Sequence, residues 1–334
     1  MARRTILLTG GAGFIGHHFV EHFYKNFDTN PKIKIIDRLT YAGSLHRLRD
    51  IHVWPSLDVE FYAADFTQPL GKTLLEEIGN VTDIIHMGAE THVDNSIEDP
   101  EAFVQANIFG TFQMLEMLRK MERKPRFFYF STDEVFGPCY EGTNPYDEYA
   151  TFNPSNPYSA TKAAGEMLCM AYRNTYKLDI VITRTMNVIG ERQHHEKFIP
   201  KVIRSILTGE EITIHADSTG TIPGSRQYIH ARNVADAYVR LIEEPELAST
   251  AYHIVGEREV SNLEVVELIS GQLGIQAKYK LVDFHSSRPG HDLRYALDGS
   301  WIKKELGWEP PKTFEQSLEK TVRWYLENRV WLGL

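Results

Sequence analysis

The chain has few cysteines, only Cys139 and Cys169 in 334 residues. Two such positions make neither a disulfide framework nor a zinc-ligand spacing, and they suit a reducing compartment, the cytoplasm. Long hydrophobic runs are also missing. No stretch approaches the ~18 apolar residues of a membrane span, and glycines cut the apolar run at residues 5–8 too early for a secretory signal. Basic charge is in deficit: the net charge of −9 offers no nucleic-acid footprint and no basic patch for a membrane surface. The 14 histidines include the adjacent pairs His17-His18 and His194-His195. Neither pair has the i, i+4 spacing and carboxylate partner of a zinc helix, so no metal is expected. There is no internal repeat and no low-complexity segment.

What remains is the composition of an ordinary soluble protein, long enough for two domains or one large α/β domain. A β-type run at residues 5–8 leads directly into TGGAGFIG at 9–16, and Phe19, Val20 and Phe23 continue an apolar face at helical spacing. This is strand, glycine turn, helix. Glycines such as Gly10, Gly13 and Gly16 permit tight turning and close backbone approach to a pyrophosphate, which sits at the positive end of the helix with Phe14 and Ile15. The strand at 33–36 ends at Asp37, about twenty residues on, where a carboxylate accepts from adenosine ribose hydroxyls and points to NAD. Arg38 is the counter-signal, since a neighbouring arginine accommodates a 2′-phosphate. A third strand at 59–63 leads to Asp65-Phe66, placed either to flank an adenine or, for Asp65, to cap a helix. A fourth, 83–86, opens at Gly88-Ala89, whose small side chains let a dinucleotide lie close.

The densest chemistry lies between residues 127 and 162. An apolar run (FFYF) ends in Ser131-Thr132-Asp133-Glu134 and is followed by YSATK at 158–162. Adjacent strand residues face opposite sides, so Asp133 and Glu134 serve one site only if the chain leaves strand geometry near Thr132. Tyr158 and Lys162 share one face of a helix beginning near Tyr158, roughly 5–6 Å apart at Cβ. Bringing a tyrosine from a pKa of ~10 to near 7 takes about 4 kcal/mol. An ammonium at ~4 Å supplies about that much at an effective dielectric near 20, which would make Tyr158 a base for a sugar hydroxyl.

Further on, 101–121 reads as a helix with apolar faces too wide for one core contact, so that part of it meets another subunit. A strand at 179–184 precedes Met186-Asn187. Shorter, more polar elements follow: a helix at 198–208, an extended run at 211–215, a loop at 217–224, a helix at 231–243, a strand at 251–255, a helix at 261–273 capped by Ser261 with Glu264, a loop at 288–295 and a helix at 313–328. Strands alternating with helices predict an α/β, doubly wound parallel sheet with a smaller, mixed α/β C-terminal lobe. The expected division is a cofactor domain of residues 1–190 plus 231–256, and a substrate lobe of 191–230 and 257–334.

These motifs resemble the extended short-chain dehydrogenase/reductase family of Rossmann-type proteins, and within it the nucleotide-sugar 4,6-dehydratases of the dTDP-glucose type. TGGAGFIG and YSATK mark the superfamily. STDEV at 131–135, DRLTYAG at 37–43, GAETHVDNS at 88–96, EKFIP at 196–200 and RPGHDLRYA at 288–296 mark the dehydratases. The resemblance implies that Thr132 and Tyr158 hold and deprotonate a glucose 4-hydroxyl while NAD takes hydride from C4. Glu134 then removes the C5 proton and a protonated Asp133 releases the C6 hydroxyl as water, after which hydride returns to C6 and Tyr158 supplies a proton. Lys162 supports Tyr158. Thr91 joins the sugar side. Asn187 and Arg226 are implied at the diphosphate, backbone around Glu196-Lys197-Phe198 at the base, and Asn262 and His291 in the same pocket. A homodimer through 101–121 and 158–176 is implied as well.

The chain departs from the family pattern at Phe136, usually tyrosine, at Asn95, usually arginine, at residues 186–191, and at 218–225, a few residues longer than usual. These changes bear on the nucleotide more than on the reaction, leaving dTDP-glucose first and UDP-glucose second. A 4-epimerase or uronate decarboxylase of the same fold is the competing enzyme, but neither needs the Asp133-Glu134 pair. A non-catalytic nucleotide-binding regulator is the competitor of another class, and it would be free to lose Tyr158, Lys162 and the carboxylates.

Overall fold

Runs rich in Ile, Leu, Val and Phe form the central strands β1 (Thr5–Thr9), β2 (Lys32–Asp37), β3 (Val59–Ala63), β4 (Asp83–His86), β5 (Arg126–Thr132) and β6 (Ile180–Thr185), with Ala251–Ile254 at one edge. The computed structural model describes residues 3–140, 142–283 and 293–334. The strands make a seven-stranded sheet in the order Ala251–Ile254, β6, β5, β4, β1, β2, β3, and every neighbouring pair is parallel. Both faces are covered, which is why the strands read as continuous apolar runs rather than alternating ones. Phe128 packs with Phe19, Phe23 and Tyr238 on one face; Phe127 and Tyr129 pack with Met114, Leu118 and Cys169 on the other. Strand order reverses between β1 and β4, so the carboxyl ends diverge there and open the crevice where such sheets bind ligands.

A second apolar core lies beyond this sheet. Helix Phe198–Thr208 buries Ile199, Val202, Ile203 and Ile206 against Val265, Val266 and Ile269 of helix Asn262–Leu273 and Phe314, Leu318, Val322 and Tyr325 of helix Phe314–Glu327. Short strands flank it: Ile212–Ala216 runs parallel to Tyr279–Asp283, and Ser225–Arg226 antiparallel to Val260–Ser261. Ser261 caps its helix by accepting from Glu264 N–H at 3.0 Å. The Glu264 side chain does not complete the capping box, because Arg258 takes it at 2.9 Å.

Two expectations change. The helix expected over 101–121 is interrupted by a π turn at Val104–Phe109, between Pro100–Phe103 and Gly110–Lys120. The widened turn holds Asn107, which bonds both backbone groups of Glu90 at 2.9 and 3.1 Å and Thr161 at 3.0 Å. The segment after residue 298, expected in the C-terminal lobe, returns to the sheet: Ile302 of helix Ser300–Leu306 and Trp308 are buried in the core with Phe19 and Tyr252. Among the described residues no helix is long and apolar enough to cross a membrane.

The first turn depends on small residues. Gly10 adopts φ +76°, and a Cβ on Gly16 would stand 2.2 Å from the Gly10 carbonyl oxygen and 2.6 Å from Gly11 Cα. Gly16→Ala must push the helix off the loop, and we expect it to cost about 1–3 kcal/mol. Thermal unfolding measures this; an unchanged midpoint would show that the loop yields freely.

Candidate active site

Helix Phe14–Asn26 begins at Gly13 with no side-chain cap, so its first N–H groups are left for a ligand. They face a cavity of about 660 Å³ that runs from the glycine turn to the C-terminal lobe. Gly10, Gly13, Phe14, Ile15, Gly16, Asp37, Arg38, Phe66 and Ala89 all line it. Asp37 ends β2, and its two oxygens accept from Ala12 N–H at 2.9 Å and Leu39 N–H at 2.8 Å. Asp65 is absent from the described lining. It pairs with Arg38 at 3.0 Å and accepts from the backbone and hydroxyl of Thr67 at 2.9 and 2.8 Å. Asp65 therefore closes a turn, not a helix, and Phe66 alone of that pair reaches the cavity.

The catalytic stretch leaves strand geometry where the chemistry requires it. β5 ends at Thr132, and Asp133–Phe136 is a single 3-10 turn, so Asp133 and Glu134 line the same cavity as Thr132, Tyr158 and Lys162. Thr132 Oγ1 donates to Asp133 Oδ1 at 2.9 Å and accepts from Glu134 N–H at 3.4 Å. Asp133 Oδ2 and Ser131 Oγ, both buried, have no partner among the described residues. Helix Pro157–Tyr176 carries Tyr158 and Lys162 on one face. Its cap, Asn156, accepts from Ser159 N–H at 2.9 Å and donates from Nδ2 to Glu134 Oε2 at 3.2 Å. One residue thus joins the tyrosine helix to the carboxylate turn. Sequence reading had not selected Asn156, although an Asn-Pro step before a helix is a cap signal.

Burial sets the charges. Both carboxyls hold their protons well above the ordinary carboxylate range, chiefly through desolvation, and for Glu134 the neighbouring Asp133 charge adds to it. They titrate as a pair, so the expected division, an ionised Glu134 and a protonated Asp133, is one placement of a proton that the two share. The Tyr158 phenol is pushed up as well, first by burial and then by the Glu134 charge. Lys162 Nζ donates to the Phe130 carbonyl at 2.7 Å and sits 4.3 Å from the Tyr129 ring. Burial lowers Lys162 itself to about 8.

On the lobe side, Thr91, Asn187, Glu196, Lys197, Phe198, Arg226 and Asn262 also line the cavity. Arg226 Nη1 donates to the carbonyls of Ser225 and Leu293 at 2.7 and 2.6 Å, and its guanidinium lies 4.6 Å from the Tyr295 ring centre. Asn262 Oδ1 accepts from Tyr228 OH at 2.6 Å. His291 lies outside the described residues. Two further lining residues were not among the expected site residues: Tyr41, although it lies within the DRLTYAG segment, and Arg47. Arg47 donates to the carbonyls of Ala42 and Arg192 at 2.6 and 2.9 Å, and Tyr41 OH donates to Glu196 at 3.4 Å. Both contacts cross between segments far apart in sequence. Among the described residues no group of three or more His, Cys, Asp and Glu could hold a metal ion.

Fold and site together define a class: a doubly wound sheet of the kind that binds dinucleotides, with a Tyr-x-x-x-Lys helix and a buried carboxyl pair beside it. A family model described as GDP-mannose 4,6 dehydratase matches residues 7–321. The chain belongs to that family. It is 36% identical over 347 residues to the dTDP-glucose 4,6-dehydratase of Neisseria gonorrhoeae, covering 98% of this chain and 97% of that one. Among solved structures it is similar to dTDP-glucose 4,6-dehydratase from Streptomyces venezuelae with NAD and TYD bound, with a TM-score of 0.87 and 33% identity over 98% of both chains. It also resembles the Thermus thermophilus UDP-glucose 4-epimerase complex with NAD, with a TM-score of 0.84 and 26% identity over 96% of this chain and 98% of that one. The expected resemblance to nucleotide-sugar dehydratases and the expected Rossmann-type fold are both borne out.

The pair has a stability signature. A carboxyl whose folded pKa is raised costs nothing below its unfolded pKa of ~4 and imposes its full cost above the folded one. Glu134→Gln should therefore stabilise the protein by about 1–3 kcal/mol at pH 8 and by almost nothing at pH 4. Denaturant unfolding at the two pH values measures the difference; equal effects at both would contradict the burial reading.

Proposed function

We propose that this chain is an NAD-dependent NDP-hexose 4,6-dehydratase, with dTDP-glucose as its first substrate and UDP-glucose as its second. The observation that carries the proposal is the buried Asp133–Glu134 pair sharing one cavity with Thr132, Tyr158 and Lys162. A 4-epimerase needs the tyrosine and the cofactor but not a paired acid and base, so the pair separates the readings even though an epimerase is among the similar structures.

The residues fit the cofactor. The uncapped helix start at Gly13 suits a pyrophosphate, and Asp37, at the end of β2, is placed for a ribose. Bound there, the nicotinamide would accept hydride from C4 and, once reduced, would return it to C6. The chain supplies the proton chemistry. Tyr158 Oη takes the proton of the sugar 4-hydroxyl, with Thr132 Oγ1 beside it. The resulting 4-ketone acidifies C5; one carboxyl of the pair, Glu134, removes that proton, and Asp133 protonates the C6 hydroxyl as it leaves as water. The proton kept at Tyr158 then returns to the sugar. Because the carboxylate charges raise the phenol, a proton on the pair also lowers the cost of a tyrosinate. The pair must carry one proton to supply both acid and base, so kcat/KM should fall on both sides of a maximum, with both limbs above the ~4 of a free carboxyl.

On the nucleotide side, Arg226 and Asn187 suit the diphosphate, and the start of helix Phe198–Thr208 suits the base. dTDP and UDP differ by a base methyl and a ribose hydroxyl, and a methyl contact is worth only about 1–3 kcal/mol, so both are substrates to be compared. Residues 1–190 with 231–256 serve as the cofactor domain, and the lobe built on helices Phe198–Thr208 and Asn262–Leu273 serves the nucleotide sugar. Exposed Phe109, Phe112, Met167 and Met170 on the two expected interface helices support a homodimer, and the unpaired thiols Cys139 and Cys169 support a cytoplasmic setting.

Mass spectrometry with a panel of NDP-hexoses should show loss of one water, and substrate deuterated at C4 should give product deuterated at C6. Label washed into solvent would overturn the scheme. Sedimentation at micromolar concentration should give a dimer; a monomer alone would overturn that assignment.

A further inference from the structure

Behind the catalytic turn lies a buried ion pair that is not part of the described lining of the cavity. Arg184 of β6 and Glu166 of the Tyr158 helix are 3% and 0% exposed. Arg184 Nε donates to both Glu166 oxygens at 3.1 and 3.0 Å, and Nη2 donates to Oε2 at 2.6 Å. Nη1 bonds the Glu148 carbonyl and His253 Nε2, each at 3.2 Å. The flat guanidinium lies 4.8 Å from the ring centre of Phe136 and 5.6 Å from that of Phe152. Glu166 follows Tyr158 and Lys162 at i+8 and i+4 on the same helix face. Phe136 is the last residue of the turn that carries Asp133 and Glu134.

We propose that Arg184 is a positioning residue that holds the acid–base turn in register with the tyrosine–lysine helix, gripping the helix through Glu166 and the turn through the face of Phe136. The inference rests on the dehydratase reading. The two parts it joins differ in rigidity: the helix has 20 residues and a full capping box, whereas the turn has four residues and is packed through Val135 and Phe136. A loosened clamp therefore misplaces Asp133 and Glu134 before it misplaces Tyr158. A guanidinium is required, because an ammonium offers neither the fork for a carboxylate nor the flat surface for a ring.

The test uses Arg184→Lys, which keeps the charge, and Phe136→Leu, which keeps the ion pair and removes the flat face. Each should lower kcat by about 10- to 100-fold, as misplacement of about 1 Å does, with KM within about twofold. In a single turnover each should accumulate enzyme-bound NADH, because elimination slows while oxidation continues. Phe136→Tyr keeps the face, and tyrosine is the usual residue there in the resembled family, so it should restore both kcat and the NADH trace. A readout that needs no substrate is the infrared titration of the carboxyl pair, which should move toward lower pH in the first two variants as the turn loosens. Unchanged kcat and titration in both variants, equal loss of oxidation and elimination, or a KM effect alone would overturn the proposal. If Arg184→Lys fails to fold, Phe136→Leu decides. If the wild type turns over none of the substrates, the dehydratase reading fails, while the titration still tests the clamp.

Discussion

Two adjacent carboxyl groups buried at the end of a strand are the constraint on which this active site depends. Burial alone drives both toward their neutral forms, and each charge penalises the other. The surroundings offset part of that cost at defined atoms. Thr132 donates to Asp133, and Asn156 donates to Glu134. Among the described residues one Asp133 oxygen has no partner, which leaves an acceptor or an acid in a residue that lines the cavity. The same burial raises Tyr158 and lowers Lys162, so the titratable groups of the site act on one another as a set. A site in which every charge is costly keeps few of them, and that is the condition for moving protons near neutral pH.

The fold serves this constraint by bringing distant segments to one sheet edge. β5 delivers the carboxyl pair, the Tyr158 helix delivers the base, and the loop after β4 is held by Asn107 from the π turn. The cavity is closed on its far side by a lobe with its own apolar core. Contacts such as Arg47 to the Arg192 carbonyl and Tyr41 to Glu196 join the two sides.

Much of this was legible from residue order. Helices 198–208 and 231–243 appear with the expected bounds, because their apolar positions recur at helical spacing over several turns. The glycine turn, Asp37, and the exit from strand geometry at Thr132 were also legible, since each is a local steric or periodic signal. The errors share a cause. The local signal at Asp65 does not show that Arg38 and Thr67 take its oxygens, and chain position does not show that helix 300–306 and Trp308 join the core under the sheet. Asn156, Glu166 and Arg184 belong to the same group: their roles arise where β6, the catalytic turn and the Tyr158 helix meet.

The central claim is that the carboxyl pair performs elimination while Tyr158 and Lys162 serve oxidation. It is tested most directly by following NADH absorbance through a single turnover of Glu134→Gln beside Tyr158→Phe. The account predicts that Glu134→Gln reduces the cofactor and holds it reduced while product forms slowly, and that Tyr158→Phe shows no reduction. If Glu134→Gln abolished NADH formation as completely as Tyr158→Phe, the carboxyl pair would belong to the oxidation step and the dehydratase assignment would lose its main support.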